Sequence, residues 1–429
     1  MPRRRTGLRL AAAACACVLG PLASLAGGPQ DLPRETLQWS LDPYVSLESG
    51  SDLTGFSVTL LALGERRLFR PLEDHRAAGP AARLVRTLLF DAPLGWWFGV
   101  VEHEGFGHGG RVREFGSHAG VHLGSPWGGR DSYTSFASAG LSNDDLLRIY
   151  AGGTEGNGWT ATRLERELVA ERYRHPLELL FLQANRYVAS DYVLRTTPDP
   201  EEEPAAFYAE WAGGGDVANY LGYLSTRVSG APGITPAGAS PLVVNGYRRL
   251  RRQAYWNALD PGAWLALWSV GRHIVTGEDP VAVPLPRLGG RRFLPIFSSD
   301  WLPDGGVASL EMVFGTHAGR EAASDPRWFS FAIRRGRGPE GGFGALGAAS
   351  ERLWESSYLR VGGEVEIWSS PGGSPGGGGL LRFQVARGAL SGLFFDAGVK
   401  SDGHWPGRPA GVGPFARLGA RIRLGADSR

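Results

Sequence analysis

Apolar residues keep two different rhythms along this chain, and the change falls near residue 300. Before it they recur at helical spacing. Leu177, Leu180, Phe181, Ala184 and Val188 follow His175-Pro176, and this pattern predicts a helix to about Leu194. Ala81 to Phe90 reads as a helix, and Asp91-Ala92-Pro93 reads as the cap and first turn of another, through Trp96, Trp97, Val100 and Val101. Ser142 before Asn143-Asp144-Asp145 predicts a capped helix that runs to a break at Gly152-Gly153, with a further helix from Thr160 to Arg172. Ala205 to Trp211, Asp216 to Val228, Arg248 to Leu259 and Pro261 to Thr276 complete the helical set.

Beyond the change the period is two. Val361, Val365 and Ile367 alternate with Arg360, Glu364 and Glu366, and Leu418, Ala420 and Ile422 with Arg417, Arg421 and Arg423. Glycine-rich turns separate about seven such strands. The expected fold class is α+β: a helical N-terminal metallopeptidase-like domain over residues 27–283, a Pro-rich connector over 284–307, and an antiparallel β region over 308–429. Two forms of that region fit the alternation. One is a soluble sheet or half-barrel with its apolar face on the helices. The other is an outer-membrane-like barrel, apolar outward and charged inward, whose strands approach the required 9–11 residues. Residues 29–60 are ambiguous between strand and helix, and a strand hidden there would complete an even count.

Composition narrows the class. Residues 1–26 carry a basic start, an Ala-rich apolar core and Ser24-Leu25-Ala26, the pattern of a cleaved secretory signal peptide. Its removal takes Arg3, Arg4, Arg5 and Arg9 and no acidic residue, so the formal net charge moves from +2 to −2. Nothing here suggests nucleic-acid binding. Cys15 and Cys17 leave with the leader, so the expected periplasmic or outer-membrane protein has neither disulfides nor thiolate ligands, and a metal would be held by His and carboxylates.

The chemistry gathers in Glu102-His103-Glu104-Gly105-Phe106-Gly107-His108-Gly109, at the end of an apolar approach. Two imidazoles and two carboxylates in a buried setting need partners, and a metal ion is an economical one. His103 and His108 are five apart. On a regular α-helix that leaves them roughly 140° apart, against the shared face of the four-residue spacing in H-E-x-x-H. Both can reach one ion if the helix holds a π-bulge or unwinds, which Gly105 and Gly107 permit. Glu104 and His108, four apart, could instead be the ligand pair, and a solvated glycine-rich loop is the alternative to any site.

His103-Glu104-Gly105-Phe106-Gly107-His108-Gly109 resembles the H-E-x-x-G-H-G segment of the dipeptidyl-peptidase III metallopeptidases. The resemblance covers about seven residues of 429. It implies that His103 and His108 bind zinc, that Glu104 is the general base, and that a later Glu is the third ligand. The family's second motif, Glu-Glu-x-x-Ala-acidic, has no recognisable counterpart. The nearest segment, Gly152 to Asn157, makes Glu155 the candidate.

Other residues compete for roles. His118 and His122 form a second candidate ligand pair or oxyanion donors, on the edge of a Gly/Ser-rich loop from Gly124 to Ser138 that is a candidate lid. His273 reads as a core or helix-end histidine and Arg248, Arg249, Arg251 and Arg252 as a solvated face or a contact for anionic headgroups or substrate carboxylates. The leading expectation is an exported zinc-dependent hydrolase acting on peptide or protein, with outer-membrane association as a further expectation. The alternative is a non-enzymatic outer-membrane or envelope structural protein. A membrane-anchored metalloenzyme would join the two.

Overall fold

Proline and a capping side chain set where the helices begin. In the computed structural model Pro176, Pro204, Pro241 and Pro261 each open a helix, where a missing N–H costs nothing. Ser142 and Asp145 cap each other reciprocally at the start of the longest helix. The structure describes residues 35–73, 78–128, 131–171, 173–317, 327–371, 374–387 and 391–424. The signal peptide expected over 1–26 lies outside them.

The helices are α1 (Leu47–Glu73), α2 (Gly79–Glu114), α3 (Asn143–Ala170), α4 (Pro176–Asp191), α5 (Pro204–Gly213), α6 (Asp216–Ser229), α7 (Pro241–Asn257) and α8 (Pro261–Thr276). Two expected interruptions are absent. Asp91 is not a cap: it has helical dihedrals inside α2 and its carboxylate binds Arg86 at 3.2 Å. Instead α2 widens into π-helix at Thr87–Asp91 and Glu102–His108. Helix α3 runs unbroken through Gly152-Gly153, because those glycines serve a close helix contact, described below, and not a chain break.

Strand β1 (Glu35–Leu41) comes from the ambiguous N-terminal stretch, while Gly55 to Leu61 falls within α1. A small hairpin, β2 (Ala119–His122) with β3 (Tyr133–Phe136), occupies part of the stretch expected as loop. Then follow β4 (Arg291–Leu302), β5 (Gly305–His317), β6 (Trp328–Gly338), β7 (Gly341–Glu355), β8 (Leu359–Ser369), β9 (Pro375–Arg387), β10 (Ser391–Lys400) and β11 (Gly413–Leu424). Strand β4 lies inside the segment read as a connector. Its Pro295 falls within an alternating run, Phe293 to Phe297, whose intervening Leu294 and Ile296 are buried.

The fold is α+β. Ten strands form one antiparallel sheet, in the order β1-β11-β10-β9-β8-β7-β6-β5-β4 and then the short strand Arg287–Leu288. The last long strand pairs back with the first, Leu41 opposite Leu418. Among the described residues the sheet keeps two edges and does not close into a barrel.

Its polarity is the reverse of a soluble half-barrel. Charged residues point inward, onto the helices. Asp396 on β10 stands between its register partners Arg382 and Arg417, bound at 2.7 and 2.5 Å. Arg417 also reaches Asp52 of α1 at 2.9 Å. Arg166 of α3 grips Glu311 of β5 through two hydrogen bonds of 2.7 and 3.0 Å. Planar guanidinium–carboxylate pairs of this kind are what make a buried charged layer tolerable. The outward residues in the same strands are apolar. Conventional apolar cores lie among the helices, one around Phe181, Leu168 and Val270, another around Tyr220, Leu147 and Tyr247.

Candidate metal centre

The five-residue histidine spacing is resolved by the backbone. Glu102–His108 is π-helix, in which i→i+5 hydrogen bonding stacks residue i+5 over residue i. His103 and His108 therefore share a face. Their rings meet edge to face with centroids 4.7 Å apart, and their Nε2 atoms are 3.1 Å apart.

Three partners orient these rings. His103 Nδ1 lies 2.8 Å from Asn157 Oδ1, and Asn157 in turn donates to Gly99 O and Asn185 Oδ1, both at 2.8 Å. Because the Asn157 amide donates elsewhere, its oxygen accepts from His103 Nδ1. His108 Nδ1 donates to the Ile149 carbonyl at 2.7 Å. With both protons at Nδ1, both Nε2 lone pairs point into the same space, as metal-binding imidazoles require. Tyr192, at the end of α4, stacks on His103 at 4.9 Å and 9°. Burial pushes its phenol well above the ordinary range, so it stays neutral.

A third donor completes the convergence. Asp216, the first residue of α6, places Oδ2 2.9 Å from His103 Nε2 and 3.2 Å from His108 Nε2. Burial works against charge on the His108 imidazole, but Asp216 and Glu104 overcome it and raise the imidazole to about 9. Burial also disfavours the Asp216 charge, yet with that second proton at Nε2 the imidazolium holds the carboxyl below the usual carboxylate range; a metal ion at Nε2 would take the proton's place. Three donors 2.9–3.2 Å apart match a tetrahedral ion with bonds of 2.0–2.1 Å, for which donor separations are roughly 3.3 Å. Glu104 is the fourth group. His103, Glu104 and His108 are all buried, and their ligating atoms lie within 4.8 Å of one another, so the group could hold a metal ion. Thr134 of β3 donates to Glu104 Oε2 at 2.9 Å and to its backbone carbonyl at 2.7 Å, tying the hairpin to the site.

Glycine makes the approach of α2 and α3 possible. A Cβ on Gly107 would stand 2.6 Å from Gly152 O and Gly153 Cα, so the two helices touch backbone to backbone. No larger residue fits without parting them.

The remaining candidates lie elsewhere. Glu155 is not brought to the imidazoles: its oxygens take Arg111 Nη2 at 2.5 Å and Nε at 3.2 Å, the Gly407 N–H at 2.9 Å, and face His404 at 3.3 Å. Burial works against its charge, yet Arg111 and His404 hold its carboxyl below the usual range. Glu102 accepts from Thr54 at 2.7 Å, and burial pushes its carboxyl up to about 8. His118 and His122 are exposed, and His122 stacks on Tyr133 at 4.4 Å. His273 is buried between Arg86 and the Glu278 carbonyl.

Asp216 and Tyr192 carried no signal in the sequence. Asp216 reads there as an ordinary acidic residue at a helix start, 108 positions from His108. Asn157 closes the segment singled out for Glu155, and within that segment it is Asn157 that reaches His103. Comparison with protein-family models, curated proteins and solved structures finds no match.

Proposed function

We propose that this chain is an exported zinc-dependent hydrolase, a peptidase, with His103, His108 and Asp216 as metal ligands and Glu104 as general base. The observation that carries the reading is the meeting of two Nε2 lone pairs and one carboxylate oxygen within 3.2 Å, beside a buried second carboxylate. Two imidazoles and a carboxylate suit zinc, and three protein ligands leave a position for water or substrate. The peptide substrate class rests on the seven-residue resemblance to the dipeptidyl-peptidase III segment.

A bound zinc ion would supply Lewis acidity, lowering the pKa of a water and polarising a carbonyl. The protein's own groups do the rest. Asn157 and the Ile149 carbonyl keep the imidazole protons at Nδ1. Glu104 accepts the proton of the attacking water and returns it to the leaving amine, while Thr134 holds its carboxylate in place. The enclosing helices keep bulk water from the reacting atoms.

The deciding experiment is metal analysis of the purified protein after zinc loading, beside the His103→Ala/His108→Ala variant, followed by a peptide-library digest with wild type and Glu104→Gln. About one zinc per chain, lost in the double variant, together with cleavage that disappears in Glu104→Gln, is the expected result. Stoichiometric zinc in the double variant would remove the ligand assignment, and cleavage by Glu104→Gln at the wild-type rate would remove the base.

A further inference from the structure

The outer face of the sheet is a continuous apolar surface. Ile333, Leu346 and Ile367 are register partners in a row across β6, β7 and β8, and all three are exposed. A second row joins Phe383, Phe395 and Leu418 across β9, β10 and β11. Phe395 and Leu418 are exposed. Along β8 the outward positions from Leu359 to Ile367 are Leu, Val, Gly, Val and Ile, a length of about 26 Å at 3.3 Å per residue. That approaches the apolar band of a membrane barrel, and the charged residues of the same strands face inward in ion pairs.

The apolar surface does not stop at the sheet edges. Helix α8 packs against β4, α2 packs against α8, and α1 bridges α2 to β1, so helices span the gap between the two edges. Helices α8 and α2 are apolar outward too. Trp264, Leu267 and Trp268 of α8 are exposed, as are Leu84, Leu88 and Leu89 of α2. Helix α2 is long and apolar enough to cross a membrane, and most of its apolar window is not buried. A protein partner or a second copy would cover one side of such a body. A surface that continues from the sheet onto α8 and α2 calls for a surrounding apolar phase.

One rim carries the complementary charge. On the outer face of β6 the apolar run ends at Ile333 and continues as Arg335 and Arg337, both exposed. Arg249 of α7 donates to the Arg337 carbonyl at 2.7 Å, which brings the arginine-rich face of α7, with exposed Arg252, to the same rim. Such a cluster beside an apolar band suits anionic headgroups.

We infer that the protein sits in a lipid bilayer, with a belt made jointly by β6–β11, α8 and the Leu84–Trp96 part of α2 in the hydrocarbon and the Arg335/Arg337/Arg249/Arg252 rim in an anionic headgroup layer. The inference does not depend on the metal reading.

The test uses the full chain with Cys15→Ser and Cys17→Ser and, in that background, single cysteines at Leu88, Leu267, Ile367 and Leu393, and at Glu201 as an exposed control, each labelled with bimane. Each is reconstituted in phosphatidylethanolamine/phosphatidylglycerol vesicles with or without brominated acyl chains. Quenching by brominated lipid at all four belt positions, and none at Glu201, is expected. Quenching at the sheet positions alone would overturn the composite belt. Shielding that develops without lipid and is lost on dilution would assign the face to a second copy and overturn the inference. The unlabelled wild-type chain gives a readout free of substitution: it should float with the vesicles after alkaline carbonate washing, and release by carbonate would equally overturn it. Arg335→Ser/Arg337→Ser should weaken association with phosphatidylglycerol vesicles severalfold and leave that with phosphatidylcholine unchanged. Equal association of this variant and wild type with phosphatidylglycerol would remove the headgroup role of the rim.

Discussion

Gly153 lies directly against His103: a Cβ there would stand 2.5 Å from His103 Nε2 and 2.6 Å from His108 Nε2. The one side of the site that α3 closes is thus closed by a hydrogen atom. A methyl group would occupy the space into which both lone pairs point. Gly153→Ala is therefore expected to abolish stoichiometric zinc binding while Gly105→Ala, which meets open space, retains it. Metal analysis of the two variants checks this.

Asp216 is the proposed ligand that only the fold supplies. Asp216→Ala should cost at least as much metal affinity as His108→Ala. Asn157→Ala removes only the group that orients His103, and should weaken zinc about 10- to 100-fold without abolishing it. Competition with a chromophoric chelator would rank the three. Equal affinity of Asp216→Ala and wild type would take Asp216 out of the coordination sphere.

Glu104→Gln should keep the metal and lower turnover by about 10²- to 10⁴-fold, the usual worth of a positioned base. Thr134→Val should lower turnover less, because it loosens the carboxylate without removing it. Zinc content and turnover measured on the same preparation separate these effects from loss of metal.

Glu155 predicts a pH dependence of stability. Its carboxyl titrates lower in the folded protein than in the unfolded chain, because Arg111 and His404 overcome the burial that opposes its charge. The stabilisation is fully present above the ordinary carboxylate value of about 4.3 and is lost as pH falls below it. Glu155→Gln leaves Arg111 buried without that charge and should cost about 3–5 kcal/mol near neutrality. The wild-type and variant curves should converge on acidification. Urea unfolding followed by circular dichroism from about pH 7 to about pH 3 tests this.

What was legible in the chain is what depends on near neighbours. The five-residue step from His103 to His108 called for a widened or unwound helix if both rings were to reach one ion, and the backbone is π-helical there, which stacks the two rings. The period of two beyond residue 308 marked seven strands, β5 to β11, since alternation is a property of each strand alone. Tertiary structure decided the rest. Alternation says that two faces differ but not which one meets the helices, so the inward Arg382–Asp396–Arg417 row required the packed fold. Gly152-Gly153 looked like a break because glycine weakens an isolated helix, whereas here it admits the backbone of Gly107. Glu155 lies near the histidines along the chain, but Arg111 claims it. Asp216 is distant along the chain and arrives because α6 packs on α3, a contact that no local pattern encodes.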